Sequence, residues 1–442
     1  MVSEKIEDAA PMLDPVAAAS TGTAAQPRWS LAQRILFRFA FCYLVLYNLP
    51  FPLEYVPYVG QGYTKLWDFV VPAVASQTFG VEADVTPNGS GDTTYNYVQI
   101  YCFFVIALGV TLLWSYLDRR RTQYAKLDQW LRVYVRFALA AVMITYGAIK
   151  VIKGQFPDPS LDRLLQPYGQ SSPMGLLWTF MGASAPYTIF AGLAELIPGL
   201  LLTLRRTALL GAVMSIAVMT NVVLLNFCYD VPVKLFSSHL VLMGLFLVLP
   251  HAGRLADLFL FNRPVEPVVH RPLFQRRGLD LAAKGLATVL VLVFTTYSLY
   301  SSYQGSKEYG DLAPKPPLYG VWNVEEIVVD GVVRPPLVTD ESRWRRVVFN
   351  YPGSIAIMNM NDERERYMLA LDPVKGQMVF RSRTDQKWTS TLSYQKLGPQ
   401  DLRMHGTFDG RKIQARLKRM DESEFLLVSR GFHWINEYPF NR

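Results

Sequence analysis

Apolar residues come in long blocks through the first two thirds of this chain and in short alternating segments through the last third. Seven blocks are of membrane length, at residues 31–52, 95–117, 129–150, 183–204, 207–227, 234–255 and 283–303. About 20 apolar residues carry an α-helix across the hydrocarbon core, so each block predicts one membrane-spanning helix. Residues 304–317 form a linker ending in Pro314, Pro316 and Pro317, after which the period drops to two. Strands are expected at 319–329, 344–350, 354–360, 366–372, 377–382, 387–394, 401–408, 412–420 and 424–429. Turn signals separate them, among them Asp330-Gly331, Tyr351-Pro352-Gly353 and Asp409-Gly410.

The expected fold is a membrane all-α helical bundle of about seven transmembrane helices (29–303), followed by an extracytoplasmic antiparallel β-barrel domain (318–442). The Ala-rich stretch 1–28 carries no signal-peptide pattern and reads as a disordered cytoplasmic tail. Gly320-Val321-Trp322 on the first strand, with Arg430 at the end of the last, resembles the lipocalin-like barrels. The resemblance implies that Trp322 packs under the basic residue and closes one end. The interior of such a barrel is either filled by side chains, the favoured expectation, or holds one small ligand.

Composition agrees with a membrane protein: of 442 residues, 51% are hydrophobic and only 18% charged. The net charge of +8 would suit nucleic acid, but the cations fall in alternate loops. Arg119, Arg120, Arg121 and Lys126 share one, Arg205 and Arg206 another, and Arg254, Arg263, Arg271, Arg276, Arg277 and Lys284 a third. The intervening stretch 54–94 holds only Lys65. This bias excludes nucleic acid as the partner. It predicts a multi-pass protein of the cell (inner) membrane, with the N-terminus cytoplasmic and the barrel periplasmic or extracellular. Cys42, Cys102 and Cys228 form no CxxC and read as small apolar residues.

The chemistry concentrates on Glu195, a carboxylate in the middle of an apolar block. Such a group costs roughly 2.5 to 3.5 kcal/mol on insertion scales and is normally turned inward and paired. Gly192 and Gly199 share its face and allow a neighbouring backbone close, and Pro198 removes a helix N–H beside it. Measured from the helix ends, Glu195 lies roughly 14 Å deep and Arg136 roughly 10 Å. The expected intramembrane charge pair is therefore Glu195 with Arg136, Arg38 being the competing cation. A second polar layer, Lys150, Asn221, Asn226, Asp230, Lys234 and His239, is expected toward the outside. It either lines a ligand cavity or bridges helices and satisfies buried polar groups. The connector 154–185 is either a lid over the bundle mouth or an ordered link.

No metal site, haem pair, dinucleotide fingerprint, Walker loop or HExxH motif occurs, so no intrinsic cofactor is expected. Arg136 followed by Gly147-Ala148-Ile149-Lys150, then Gly192, Glu195 and Gly199 on the next helix, resembles the DoxX family of four-helix membrane proteins over residues 133–250. The DoxX-like core would lie at about 129–255. The resemblance implies family positions at Arg136, Lys150 and Glu195 and association with membrane oxidoreductase systems, in some members with thiosulfate and quinone. Two helices before this core, one after it and the barrel depart from the short family form. The expected function is a polar site for a small amphipathic molecule, a quinone or a lipid, in or beside a membrane oxidoreductase system. Membrane lipids and oxidoreductase subunits are the expected partners. The alternative is a non-catalytic assembly or carrier protein whose barrel recruits a ligand or partner.

Overall fold

A computed structural model describes residues 28–267, 272, 274–385 and 387–441. The expected tail, up to residue 27, and Arg271 lie outside the described residues. Helices occupy α1 (Leu31–Asn48), α2 (Val59–Val74), α3 (Thr94–Leu117), α4 (Ala125–Val151), α5 (Leu161–Leu164), α6 (Pro173–Gly182) and α7 (Ala185–Thr203). They continue with α8 (Ala208–Cys228), α9 (Lys234–Val248), α10 (Ala252–Phe259) and α11 (Arg277–Tyr309). Capping boxes start two of them: Ser30 and Gln33 at α1, Thr93 and Asn96 at α3, each pair exchanging side-chain and backbone bonds.

Among the described residues, six helices are long and apolar enough to cross a membrane: α3, α4, α7, α8, the continuous run Lys234–Phe259, and α11. The 18-residue α1, which carries Arg34 and Arg38, is not among the six. One helix was not expected. α2, inside the stretch read as a loop, buries Trp67 and Val71 against Val98, Cys102 and Phe103 of α3. Gly60, Gly62, Lys65, Asp68 and Pro72 interrupt its apolar pattern and hide it from a hydropathy reading.

Eight of the nine expected strands form, namely β1 (Gly320–Val329), then, after a two-residue β2 (Val332–Val333), β3 (Trp344–Phe349), β4 (Ser354–Asn359), β5 (Arg364–Asp372), β6 (Gln377–Arg381), β7 (Thr389–Lys396), β8 (Asp401–Phe408) and β9 (Arg411–Arg419). Each pairs antiparallel with the next and β9 returns to β1, so the sheet closes into an eight-stranded barrel with β2 as a short flange. Trp322, Phe349, Met378, Phe380, Leu392 and Leu417 fill the interior, all at most 1% exposed. The inside is a packed core.

The ninth strand is corrected. Residues 426–429 form a single helical turn, α12 (Leu426–Ser429), and Arg430 lies beyond it, bonded to Asn436 and stacked on Phe440. The final strand is β9, and its Arg419 stands opposite Trp322 in register. The Arg419 Nε sits so close over Gly320 (φ +140°) that a Cβ there would lie 2.7 Å from it. Arg419 thus takes the place expected of Arg430. Trp322 donates its indole N–H to the Leu318 carbonyl.

The connector between α4 and α7 holds the barrel. Leu161 and Leu164 of α5 pack on the outward-facing Val321, Val348 and Ala356. Asp162 accepts from Arg366 at 2.5 Å, its carbonyl accepts from Arg364, and the Leu161 N–H donates to Asn350. Lys153 bridges Asp158 and Asp311 of the linker. We call this side of the bundle the barrel end and the opposite side the basic end.

Candidate functional site

The site grows from one helix pair. α4 and α7 run antiparallel along most of α7, and the glycines fix their register. A Cβ on Gly147 would lie 2.6 Å from the Leu196 nitrogen, one on Gly192 2.6 Å from the Val151 nitrogen, and one on Gly199 3.0 Å from the Ile144 nitrogen. No neighbour there can yield, because each is backbone. This register sets Glu195 level with Ala148, within one turn of Lys150.

The Lys150 Nζ donates to both Glu195 carboxylate oxygens, at 2.7 and 2.6 Å. Both residues are buried, at 7% and 2% exposure, and the ammonium faces the Tyr146 ring. The expected Glu195–Arg136 pair is therefore corrected to Glu195–Lys150. Arg136 lies roughly 18 Å farther down the axis at 1.5 Å per residue. The reasoning from helix ends failed because α4 has 27 residues and α7 only 19. The surplus projects past α7 at the basic end.

Arg38 is not a competitor either. It clamps the basic end, donating to the Tyr124 hydroxyl, the Ser115 hydroxyl and the Asp118 carbonyl at 2.7 to 3.0 Å, and so ties α1 to α3 and α4.

The six expected outer-layer residues do not form one cluster. Lys150 belongs to the ion pair. Asn226 donates to the Ser237 hydroxyl and the Val233 carbonyl, which bridges α8 to α9. Asp230 and Lys234 pair at 3.0 Å across the turn, and Asp92 accepts from the backbone N–H groups of Lys234 and Leu235, capping α9. Nothing near Asp92 in the sequence signals that cap. Asn221 faces outward, exposed.

His239 stands among tyrosines that the sequence reading left out. Its Nδ1 lies 2.7 Å from the Leu235 carbonyl, which makes Nδ1 the protonated nitrogen, and its Nε2 accepts from the Tyr43 hydroxyl at 2.7 Å. The Tyr47 ring stacks on the imidazole at 4.1 Å. On α4, the Tyr146 ring lies 5.6 Å from the Lys150 ammonium and packs against Phe236 of α9, the helix that carries His239. Tyr43 and Tyr47 escaped notice because an aromatic on an apolar helix reads as packing until its hydroxyl partner is known. The arrangement offers donors from Lys150 and three phenols, and one imidazole, within an apolar surround. It can bind a polar head or pass a proton between neighbours.

Three open cavities among the described residues are lined by none of Lys150, Glu195 and His239. No group of three or more His, Cys, Asp or Glu among the described residues is placed to hold a metal ion.

No family model and no solved structure matches the chain. A stretch of 143 residues, 32% of this chain, is 33% identical to the uncharacterized protein YwoB of Bacillus subtilis (strain 168) and covers 87% of that protein.

Proposed function

We propose a function on the premise that this chain belongs to the same family as YwoB of Bacillus subtilis. It is a DoxX-like membrane protein whose polar centre at the barrel end binds the head of a small amphipathic molecule, a quinone or a lipid, as a component of a membrane oxidoreductase system. α1 makes the seventh crossing. The alternation of basic loops supports a cytoplasmic basic end, which puts the barrel outside the cytoplasm.

The observation that carries this reading is the buried His239, whose Nε2 accepts from the Tyr43 hydroxyl while the Tyr47 ring stacks on the imidazole. Ionisable groups gathered inside a membrane are expensive unless they do something. The phenols and the ammonium match the carbonyl or phenol oxygens of a quinone head. Tyr146, which is 39% exposed, gives the centre a face toward lipid, so a ligand can approach sideways. Native mass spectrometry of the full chain in mild detergent should show a bound quinone or lipid. His239→Gln and Tyr43→Phe should each lower its occupancy roughly tenfold, the scale of one or two lost hydrogen bonds. Wild-type protein that carries no small molecule would sink the reading.

A second reading, a non-catalytic assembly or carrier protein, draws on the segment after α12. Phe432, Trp434, Ile435 and Tyr438 are 77 to 90% exposed. With the barrel interior full, a partner would have to dock on that outer surface. Removing residues 431–442 would then abolish partner capture and leave any bound small molecule in place.

A further inference from the structure

We infer that the basic end of the bundle holds a binding site for a phosphate-bearing polyanion. A cavity of about 1880 Å³ opens there. It exceeds the roughly 300 to 1,000 Å³ of an ordinary small-molecule pocket. Eight Lys and Arg side chains line it, drawn from the α3–α4 loop and α4, the α7–α8 loop, α10 and the start of α11, with Arg136, Arg205, Arg206 and Arg276 among them. Asp128 is the one acidic residue among the lining groups and is paired with Arg132 at 2.8 Å, and Asp280, behind the wall, pairs with Arg205 at 3.6 Å. The apolar walls come from Trp130, Leu209, Leu247 and Leu279.

The positive-inside bias accounts for cations in loops and does not account for Arg136. That residue stands three turns into α4, and its Nε is buried without a hydrogen-bond partner. A guanidinium held there, with further cations converging on the same space, leaves a deficit of negative charge. Phosphate oxygens satisfy it best, because they accept paired N–H donors from the planar fork and bring more than one charge. Basic pockets between membrane helices bind anionic lipid headgroups by this chemistry, and a free phosphate compound would use the same donors. The site is independent of the His239 centre, which lies at the other end of α4.

The test uses the full chain in detergent, with thermal unfolding followed in two arms. One adds cardiolipin in mixed micelles against a phosphatidylcholine control; the other adds inorganic pyrophosphate. A ligand that binds only the folded state raises the midpoint. The expected result is a rise at low salt that shrinks as salt increases, is absent with phosphatidylcholine, and is lost in Arg136→Gln and Arg206→Gln. A rise with cardiolipin alone assigns a lipid headgroup, and a rise with pyrophosphate as well assigns a free phosphate compound. Arg206 is exposed, so its variant keeps the fold and decides the matter if the Arg136 variant unfolds. No rise in either arm, or an equal rise in wild type and in Arg206→Gln, would overturn the proposal.

Discussion

Lys150 and Glu195 place two opposite charges between the same two helices, and their worth depends on what each would do alone. A buried pair with both carboxylate oxygens engaged roughly offsets its own desolvation, whereas one stranded partner is uncompensated. Glu195→Gln and Lys150→Met should therefore each destabilise the bundle by about 3 to 5 kcal/mol. The double variant Lys150→Met with Glu195→Leu should recover most of that loss. Thermal unfolding in detergent checks this; a double variant as weak as the sum of the singles would mean that the pair does more than neutralise itself. The misfit carboxylate was legible in the sequence, and so were the glycines beside it. Its partner was not, because an inward-facing residue shows its depth only relative to the packing register, and register is a property of two helices.

That register is set at the scale of elements, where Gly147, Gly192 and Gly199 form a ladder against opposing backbone. The small residues could be seen along the chain; which rung met which could not. The strands show the same division. Alternation and turn residues placed eight of them, since period two and φ > 0 turns are local, while the false ninth at 424–429 lacked a neighbour to pair with. The contact between α5 and the barrel was also invisible, because Asp162 and Arg366 are ordinary surface charges until the two elements meet. Burial alone would raise the Asp162 carboxyl, but the bonds from Arg366 and Ser160 and the charge of Arg364 outweigh it and hold the carboxyl below its ordinary value. A carboxyl depressed in the folded state contributes stability above its unfolded pKa and loses it as pH falls through the folded one. Docking should hold at neutral pH and loosen once the pH drops below the usual carboxylate range. Spin labels on the connector and on β7 would report this as a broadened distance distribution, and in Asp162→Asn the distribution should be broad at every pH. A sharp distribution in that variant would show that Leu161 and Leu164 hold the contact by themselves.

The whole molecule joins two bodies with opposite surfaces. α11 buries only Asp280, Ser298 and Ser306 and exposes Leu290, Val293 and Tyr297, a surface that calls for lipid. The barrel keeps most of its apolar residues inside and closes its own edges, so its backbone bonds are satisfied without the bundle. Of the residues that bury with it, Leu161 is the fully buried one contributed from outside, and it packs on the outer wall. A fragment of residues 315–442 should then fold by itself, with one cooperative urea transition and Trp322 buried. Trp322→Ala should cost it about 3 to 5 kcal/mol, as for other large aromatic deletions in a packed core. The fragment should bind no lipid inside, because the interior is already occupied by side chains. A fragment that stays unfolded would mean that the α5 contact is part of the barrel's own core, and a fragment that takes up a fatty ligand would mean that the packed interior can open.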